Sequence, residues 1–162
     1  MRYAKVKDVR SPERGTDKAA GIDFFVPNSF NETVLYPNHD VLIPSGIKMK
    51  IPEGFMLMGA DKSSIATSRK ACIACGRMPK DNAHRSSLII GAKIIDEDYQ
   101  GEIHIHVINV GRTTVFIKPG MKIAQFILVP VIYPDLYEVS EAELFDKASE
   151  RGDGAFGSTD KK

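Results

Sequence analysis

Short apolar runs recur along this chain, and glycine, proline or asparagine separates each run from the next. Runs of this length between turn-forming residues are typical of β-strands. In the run that begins at Ile103, apolar residues alternate with His104 and His106, so one face of that strand should be buried. The predicted strands cover residues 22–26, 41–51 with a turn at 44–46, 55–58, 88–95, 103–109, 114–117 and 123–132.

Helical signals are few in the sequence. Ser140 and Glu143 have the spacing of a capping box before a short helix, and residues 63–71 predict a second short helix. Many short strands with one or two short helices predict an all-β fold, a sandwich or barrel of the jelly-roll type.

Length and charge narrow the class of protein. The 162 residues suit one compact domain, and a formal net charge of +1 gives no sign of a nucleic-acid partner. The longest apolar runs are too short to cross a bilayer, and the first ten residues lack the apolar core of a signal peptide. We therefore expect a soluble, intracellular, cytoplasmic protein that contacts neither nucleic acid nor membrane.

Residues 67–87 interrupt the strand pattern with a polar, basic stretch. Cys72 and Cys75 form a C-x-x-C pair there, and His84 follows. Two cysteines are too few for a disulfide framework, and one pair is weak evidence for zinc, which takes four ligands. Two free thiols are the favoured interpretation, and the basic residues either bind an anionic partner or keep an exposed loop in water.

Residues 91–102 place three consecutive acids, at 96–98, and a tyrosine between two apolar strands. This pattern predicts a hairpin with an exposed acidic turn. Two interpretations remain on spacing alone: a solvated turn, or a positioned carboxylate base beside an aromatic ring.

The C-terminal stretch 151–160 combines glycines, hydroxyls, an arginine and Phe156. Glycine-rich tails are commonly frayed, yet glycine also lets a backbone approach a ligand closely.

Together, five ordered segments make the sequence similar to the homotrimeric dUTPase family. They are residues 19–24, 60–66, 91–102, 118–125 and 151–159. The resemblance implies a jelly-roll-like β-subunit, a homotrimer with active sites between subunits, and Mg²⁺-dependent hydrolysis of dUTP to dUMP and pyrophosphate.

The third segment carries the chemistry that this resemblance implies. Asp96 matches the catalytic carboxylate, which accepts a proton from the water that attacks the α-phosphorus. Tyr99 matches the aromatic that stacks under the deoxyribose and excludes a 2′-hydroxyl. The resemblance also implies that uracil is recognised by Ile95 and by the backbone around Lys93, Ile94 and His104. Lys93 stands where the family often has glycine, so an inward Lys93 would put uracil selection in doubt.

Phosphate binding is implied for Lys62, Ser63, Ser64 and Gln125, although a structural hydrogen bond is an equal alternative for Gln125. Lys62 stands where the family usually has arginine, so a point charge replaces a bidentate contact. Asp23 matches an aspartate that orders the site, or it is simply a strand-end carboxylate. Mg²⁺ is expected on the phosphates and on waters, with no protein residue as a direct ligand.

Residues 148–162 are implied to be a flexible arm that closes over an active site, leaving residues 1–147 as the β domain. Within the arm, Phe156 would stack on uracil. Contacts with the phosphates are implied for Arg151, Gly157, Ser158 and Thr159.

The insertion at 67–87 is longer than the usual family spacing, which makes it a candidate contact surface for a protein partner and fits a phage or viral source. Two alternatives to a dUTP diphosphatase stay open. One is a dCTP deaminase or bifunctional relative, for which Glu102 is the tempting acid. The other is a non-catalytic nucleotide-binding regulatory homologue, which Lys62 would favour.

Overall fold

A computed structural model describes residues 1–66, 87–150 and 152–153. The chain divides into two compact units, residues 1–132 and 133–162. Cys72, Cys75 and the predicted insertion up to residue 86 lie outside the described residues. The predicted boundary at 147/148 falls inside the second unit, so the arm remains a prediction.

The first unit contains every strand of the described residues, and all strand pairs are antiparallel. The strands are β1 Arg2–Lys5, β2 Glu13–Arg14, β3 Gly21–Phe25, β4 Thr33–Leu35, β5 Asp40–Pro44, β6 Ile47–Lys50, β7 Phe55–Ala60, β8 Leu88–Ile90, β9 Ile94–Ile95, β10 His104–Asn109, β11 Val115–Ile117 and β12 Lys122–Pro130. One short helix, α1, covers Ser63–Ala66. The prediction of an all-β protein with little helix is confirmed.

These strands form four small sheets. Five strands pair in the order β2-β3-β12-β7-β9 and three in the order β5-β10-β8, while β1 pairs with β6 and β4 with β11. Apolar side chains from all four sheets form one buried cluster, in which the rings of Phe24 and Phe126 lie 4.6 Å apart. Burial of this cluster is the main force that holds the sheets together.

The alternation predicted for β10 is present. Ile105 and Val107 are fully buried, whereas His104 is exposed and His106 is half-buried. The outward face of β10 therefore carries two histidines.

The predicted continuous strand 88–95 and its simple hairpin are wrong. The ladder between β8 and β10 stops after Ile90, and the chain then crosses so that β9 pairs with β7. The break falls at Gly91, which adds no side chain to pack against a neighbouring strand. Residues 91–103 are consequently a wide connection that passes from one sheet to another.

Three short strands, β1, β2 and β4, were not predicted by the apolar pattern. All four residues of β1 are exposed, so it lacks the alternation by which a strand is recognised. The predicted helix at 63–71 is described only as far as Ala66. In the second unit, the capping signal at Ser140 precedes a single 3-10 turn, Glu141–Glu143.

Candidate active site

The wide connection between β8 and β10 encloses a cavity of about 190 Å³, here called the Tyr99 pocket. It is lined by Ala92, Ile94, Ile95, Asp96, Tyr99, Ile103 and His104. The fold thus brings together three residues singled out in the sequence, Ile95, Asp96 and Tyr99. The pocket joins apolar walls with one exposed carboxylate, a combination that suits an organic ring next to a reacting polar group.

Local hydrogen bonds fix the tyrosine. The Tyr99 amide donates to the carbonyl of Asp96 at 3.2 Å, and its hydroxyl donates to the carbonyl of Glu102 at 2.9 Å. The ring lies on Gly101, where an added β-carbon would fall 2.3 Å from the hydroxyl oxygen. Glycine at 101 is therefore required for this ring position, while 44% of Tyr99 stays exposed to receive a ligand.

Lys93 does not fill the pocket. Its side chain is exposed, and it is not among the residues that line the cavity. Its carbonyl accepts a hydrogen bond from the amide of Gly59 at 2.6 Å, which ties the start of β9 to β7. The departure from glycine at this position consequently leaves the pocket open.

A larger opening of about 500 Å³ lies on another side of Tyr99 and was not predicted from any motif. Its lining combines the apolar surface of Tyr3 and Met49 with charges of both signs, from Arg2, Lys48, Lys50, Glu97 and Asp98. It is an open groove formed by β1, β6 and the acidic turn, and Asp96 is absent from its lining.

A second group of candidate residues, here called the Asp23 cluster, lies where β3, β12 and the end of β7 meet. The Asp23 carboxylate is buried and accepts from two lysines, Lys62 Nζ at 2.9 Å and Lys122 Nζ at 2.7 Å. Lys122 also contacts Glu13 at 3.2 Å. One carboxylate therefore holds two cations beside each other.

Burial raises the pKa of Asp23, but the hydrogen bonds from Lys122 and then Lys62 outweigh burial and leave the pKa below its ordinary value. The hydrogen bond to Asp23 raises the pKa of Lys122, against the opposing effect of burial. Asp23 and Lys122 are therefore both charged at neutral pH.

Gln125 faces the same junction. Directly opposite Asp23 in the β3–β12 ladder, it donates from Nε2 to the carbonyl of Asp61 at 2.9 Å. Ser63 and Ser64 are exposed at the start of α1, immediately after Lys62, whose carbonyl accepts the amide of Ile65 at 2.8 Å. Asp23, Lys62 and Gln125 are thus brought together, with the two serines next in the chain.

Within the cluster, the sequence did not single out Lys122 or its partner Glu13. Lys122 belongs to the segment 118–125, but alternation from Gln125 alone does not place both residues toward Asp23. The β3–β12 register shifts between Lys122 and Ala124, and this irregularity directs Lys122 toward the carboxylate. A register shift of this kind leaves little trace in a single sequence.

The Tyr99 pocket and the Asp23 cluster share no residue within the described parts of the chain. The tail candidates Arg151, Phe156, Gly157, Ser158 and Thr159 lie outside the described residues. One copy of the chain therefore presents two separate groups of candidate site residues.

In the ranges 1–66, 87–150 and 152–153, no group of three or more His, Cys, Asp or Glu side chains is arranged to hold a metal ion. In the same ranges, none of the helices is long and apolar enough to span a membrane.

Comparison with known proteins assigns the family. The family model for dUTPase matches residues 7–160. The deoxyuridine 5'-triphosphate nucleotidohydrolase of Chlamydia pneumoniae is 36% identical over 91% of this chain and 89% of its own length, and the Mus musculus protein of the same name is 30% identical over 99% and 85%. The chain therefore belongs to the dUTPase family.

Solved structures agree with this fold. A point mutant of the Staphylococcus bacteriophage 80alpha dUTPase with dUpNHpp superposes with a TM-score of 0.74, at 25% identity, over 98% of this chain and 96% of its own. A dUTPase mutant from phage phi11 of S. aureus, whose structure shows a structural Mg(II) ion, has a TM-score of 0.67 at 23% identity, over 88% and 98% of the two chains.

Proposed function

We propose that this protein is a dUTP diphosphatase, which hydrolyses dUTP to dUMP and pyrophosphate by attack of water on the α-phosphorus. The observation that carries the proposal is the Tyr99 pocket, in which Asp96 and the fixed ring of Tyr99 line one small cavity. Family membership and a relative solved with dUpNHpp support the substrate class.

Within the Tyr99 pocket, uracil and deoxyribose would lie between the β9 backbone and the Tyr99 ring. Main-chain donors and acceptors near Ile95 would match the pairing edge of uracil, so cytosine would leave buried groups unpaired. Tyr99 would occupy the space that a 2′-hydroxyl needs. Asp96, exposed at the rim, would accept the proton of the attacking water.

The Asp23 cluster would hold the phosphates. Lys62 would supply positive charge, and the exposed hydroxyls of Ser63 and Ser64 would donate to phosphate oxygens. Gln125 would bind phosphate or water with the part of its amide that does not contact Asp61. Asp23 would order this site, because its bonds to Lys62 and Lys122 fix both ammonium groups in place.

The donor set fits a Mg²⁺ ion held mainly by the triphosphate. Each oxygen of the buried carboxylate at Asp23 already accepts from a lysine, so this group suits a supporting role better than direct ligation. Mg²⁺ keeps several waters and commonly binds through substrate phosphates with few carboxylates. The ion would supply neutralisation of the phosphate charge.

The volume of the Tyr99 pocket supports a site shared between copies. Its roughly 190 Å³ is well below the ~300–1,000 Å³ of typical ligand cavities, which is too small for a whole nucleoside triphosphate. We therefore propose a homotrimer in which the pocket of one copy adjoins the Asp23 cluster of another. Residues 133–145 favour such assembly, since Leu136 and Tyr137 are 93% and 79% exposed.

Residues 148–162 would close over the bound nucleotide as an arm from a further copy. Phe156 would stack on uracil, and Arg151 with residues 157–159 would contact the phosphates. Closure would exclude water from the reacting groups. We also propose a cytoplasmic location, and the segment 67–87 as the surface for any protein partner.

The geometry of Glu102 argues against a deaminase. Its carboxylate accepts from Lys7 Nζ at 2.8 and 2.9 Å and from the amide of Gly46 at 2.6 Å, and it does not line the Tyr99 pocket. Burial raises the pKa of Glu102, but these hydrogen bonds, first that of Lys7, bring it below its usual value. An ionised, fully engaged carboxylate of this kind stabilises the fold and is unsuited to proton transfer.

The proposal is tested with purified protein, Mg²⁺ and four separate nucleotides: dUTP, UTP, dCTP and dTTP. Pyrophosphate release should occur with dUTP at a kcat/KM at least about 100-fold above that for each of the others, because unpaired buried groups or steric overlap penalise them. Ammonia release from dCTP would instead assign a deaminase. Binding of dUTP without turnover would assign a regulatory protein.

A further inference from the structure

His106 belongs to β10 of the three-stranded sheet and lies next to the connection that forms one wall of the Tyr99 pocket. Its ring Nε2 is 3.0 Å from Asp40 Oδ2 on β5, and its Nδ1 accepts a hydrogen bond from the amide of Ala92 at 3.2 Å. Ala92 itself lines the pocket. A half-buried histidine on β10 thus contacts the pocket wall through the main chain.

These two contacts define the protonation state of the ring. A backbone amide can only donate and a carboxylate only accept, so Nδ1 must be bare and Nε2 must carry the proton. The neutral imidazole satisfies both neighbours at once. A second proton on Nδ1 would strengthen the contact with Asp40 and replace the bond to Ala92 by two opposed N–H groups.

Gly91 makes room for the ring. An added β-carbon at Gly91 would fall 2.2 Å from His106 Nδ1 and 2.7 Å from Cε1. The amide of Gly91 also donates to the His106 carbonyl at 2.9 Å. The connection is therefore fixed on two sides, by His106 at Ala92 and by Gly59 at the Lys93 carbonyl.

We propose that His106 is a positioning residue of the nucleotide site. Its neutral ring holds the 91–93 backbone in the conformation that shapes the Tyr99 pocket, and protonation of the ring weakens nucleotide binding. The nature of the ligand rests on the proposed function, whereas the role of His106 in shaping the pocket wall does not.

Two titratable side chains lie near the ring: Asp40 on β5, at 3.0 Å, and His104, on the same outward face of β10. β8 contributes only apolar residues.

Hydrogen exchange at the Ala92 amide tests the contact without any assay of activity. His106→Ala should speed exchange at Ala92 by about tenfold at neutral pH, since a hydrogen bond of this type contributes roughly a factor of ten. His106→Asn, whose Oδ1 can take the place of Nδ1, should restore protection, and that protection should not change on acidification because the amide does not gain a proton. His39→Asn removes an exposed histidine next to Asp40 whose ring contacts Tyr36 and the Pro37 carbonyl and not the His106 ring, so it should change neither quantity.

Nucleotide binding tests the consequence. For the dUTP analogue dUpNHpp, His106→Ala should raise Kd by about three- to tenfold, with kcat for dUTP within about twofold, because no reacting group is removed. Gly91→Ala should weaken binding likewise, and the double variant should be no weaker than Gly91→Ala alone, since the shortened side chain relieves the overlap. Unchanged exchange at Ala92 and unchanged Kd in His106→Ala would overturn the proposal.

The activity of the protein and the role of His106 can be distinguished by experiment. Loss of Ala92 protection in a protein that binds no deoxyuridine nucleotide would leave the role of His106 in the pocket wall intact and refute the proposed function. Normal dUTP hydrolysis with unaltered exchange and Kd in His106→Ala would support the proposed function and refute the role of His106.

Discussion

Asp96→Asn should lower kcat for dUTP by about 10²–10⁴-fold, the usual contribution of a positioned general base. The amide keeps the size of the carboxylate but has no basic oxygen for the proton of the attacking water. Asp96 is exposed at the rim of the pocket and its carbonyl already accepts the Tyr99 amide, so the turn should keep its shape. Kd for dUpNHpp should therefore stay within about threefold of the parent value.

Asp98→Asn is the matched control for this measurement. Asp98 belongs to the same acidic turn and undergoes the same change in charge, but it lines the larger groove and not the Tyr99 pocket. Its kcat should fall less than about threefold, as expected for an exposed charge outside the site. Equal losses in the two variants would show that the charge of the turn, and not the position of Asp96, supports hydrolysis.

Asp23→Asn should lower the free energy of unfolding by about 2 kcal/mol and raise KM for dUTP. Breaking a fully buried ion pair costs about 3–5 kcal/mol, and the value is reduced here because 23% of the Lys62 side chain and 32% of the Lys122 side chain are exposed. The two lysines would repel each other once the carboxylate between them is gone. Urea unfolding at pH 7 measures the change, and Asp17→Asn, at an exposed aspartate, should alter stability by less than about 0.5 kcal/mol.

The same substitution should alter the acid dependence of stability. The pKa of Asp23 is lower in the folded protein than in the unfolded chain, so its stabilisation is complete above about pH 4, the unfolded value. That stabilisation is lost as the pH falls from there through the folded pKa. The parent protein should thus lose stability more steeply than Asp23→Asn below about pH 4, and parallel curves would contradict the ion-pair account.

Local patterns allowed part of the fold to be predicted from the sequence. The alternation in β10 and the turn at 44–46 are each determined by residues that are adjacent in the sequence, so both were recognised. The exposed edge strand β1 has no such pattern, because it forms by pairing with β6, which is distant in the sequence. The crossing of β9 to β7 likewise depends on contacts with Gly59 and Met58, which are distant in sequence.

The candidate site likewise contains residues that the sequence indicated and contacts that only the fold reveals. Asp96 and Tyr99 stand in one contiguous segment, so their proximity in the pocket followed from the sequence. The contacts of Asp23 with Lys122 and of His106 with Ala92 join separate strands and connections, and a single sequence does not indicate such pairings. Lys62 was recognised as a site residue, but its ion pair with Asp23 emerged only from the fold.

Subunit mixing tests most directly whether Asp96 of one copy acts on a nucleotide whose phosphates another copy holds. Asp96→Asn and Lys62→Met proteins, each nearly inactive at low dUTP, are combined in equal amounts, allowed to exchange subunits, and assayed for pyrophosphate release. If the two groups meet between copies, random assembly leaves about one quarter of the sites intact, and about one quarter of the parent activity should return. No recovery above the unmixed variants, with exchange verified by mass, would place the whole site in one chain and contradict the account.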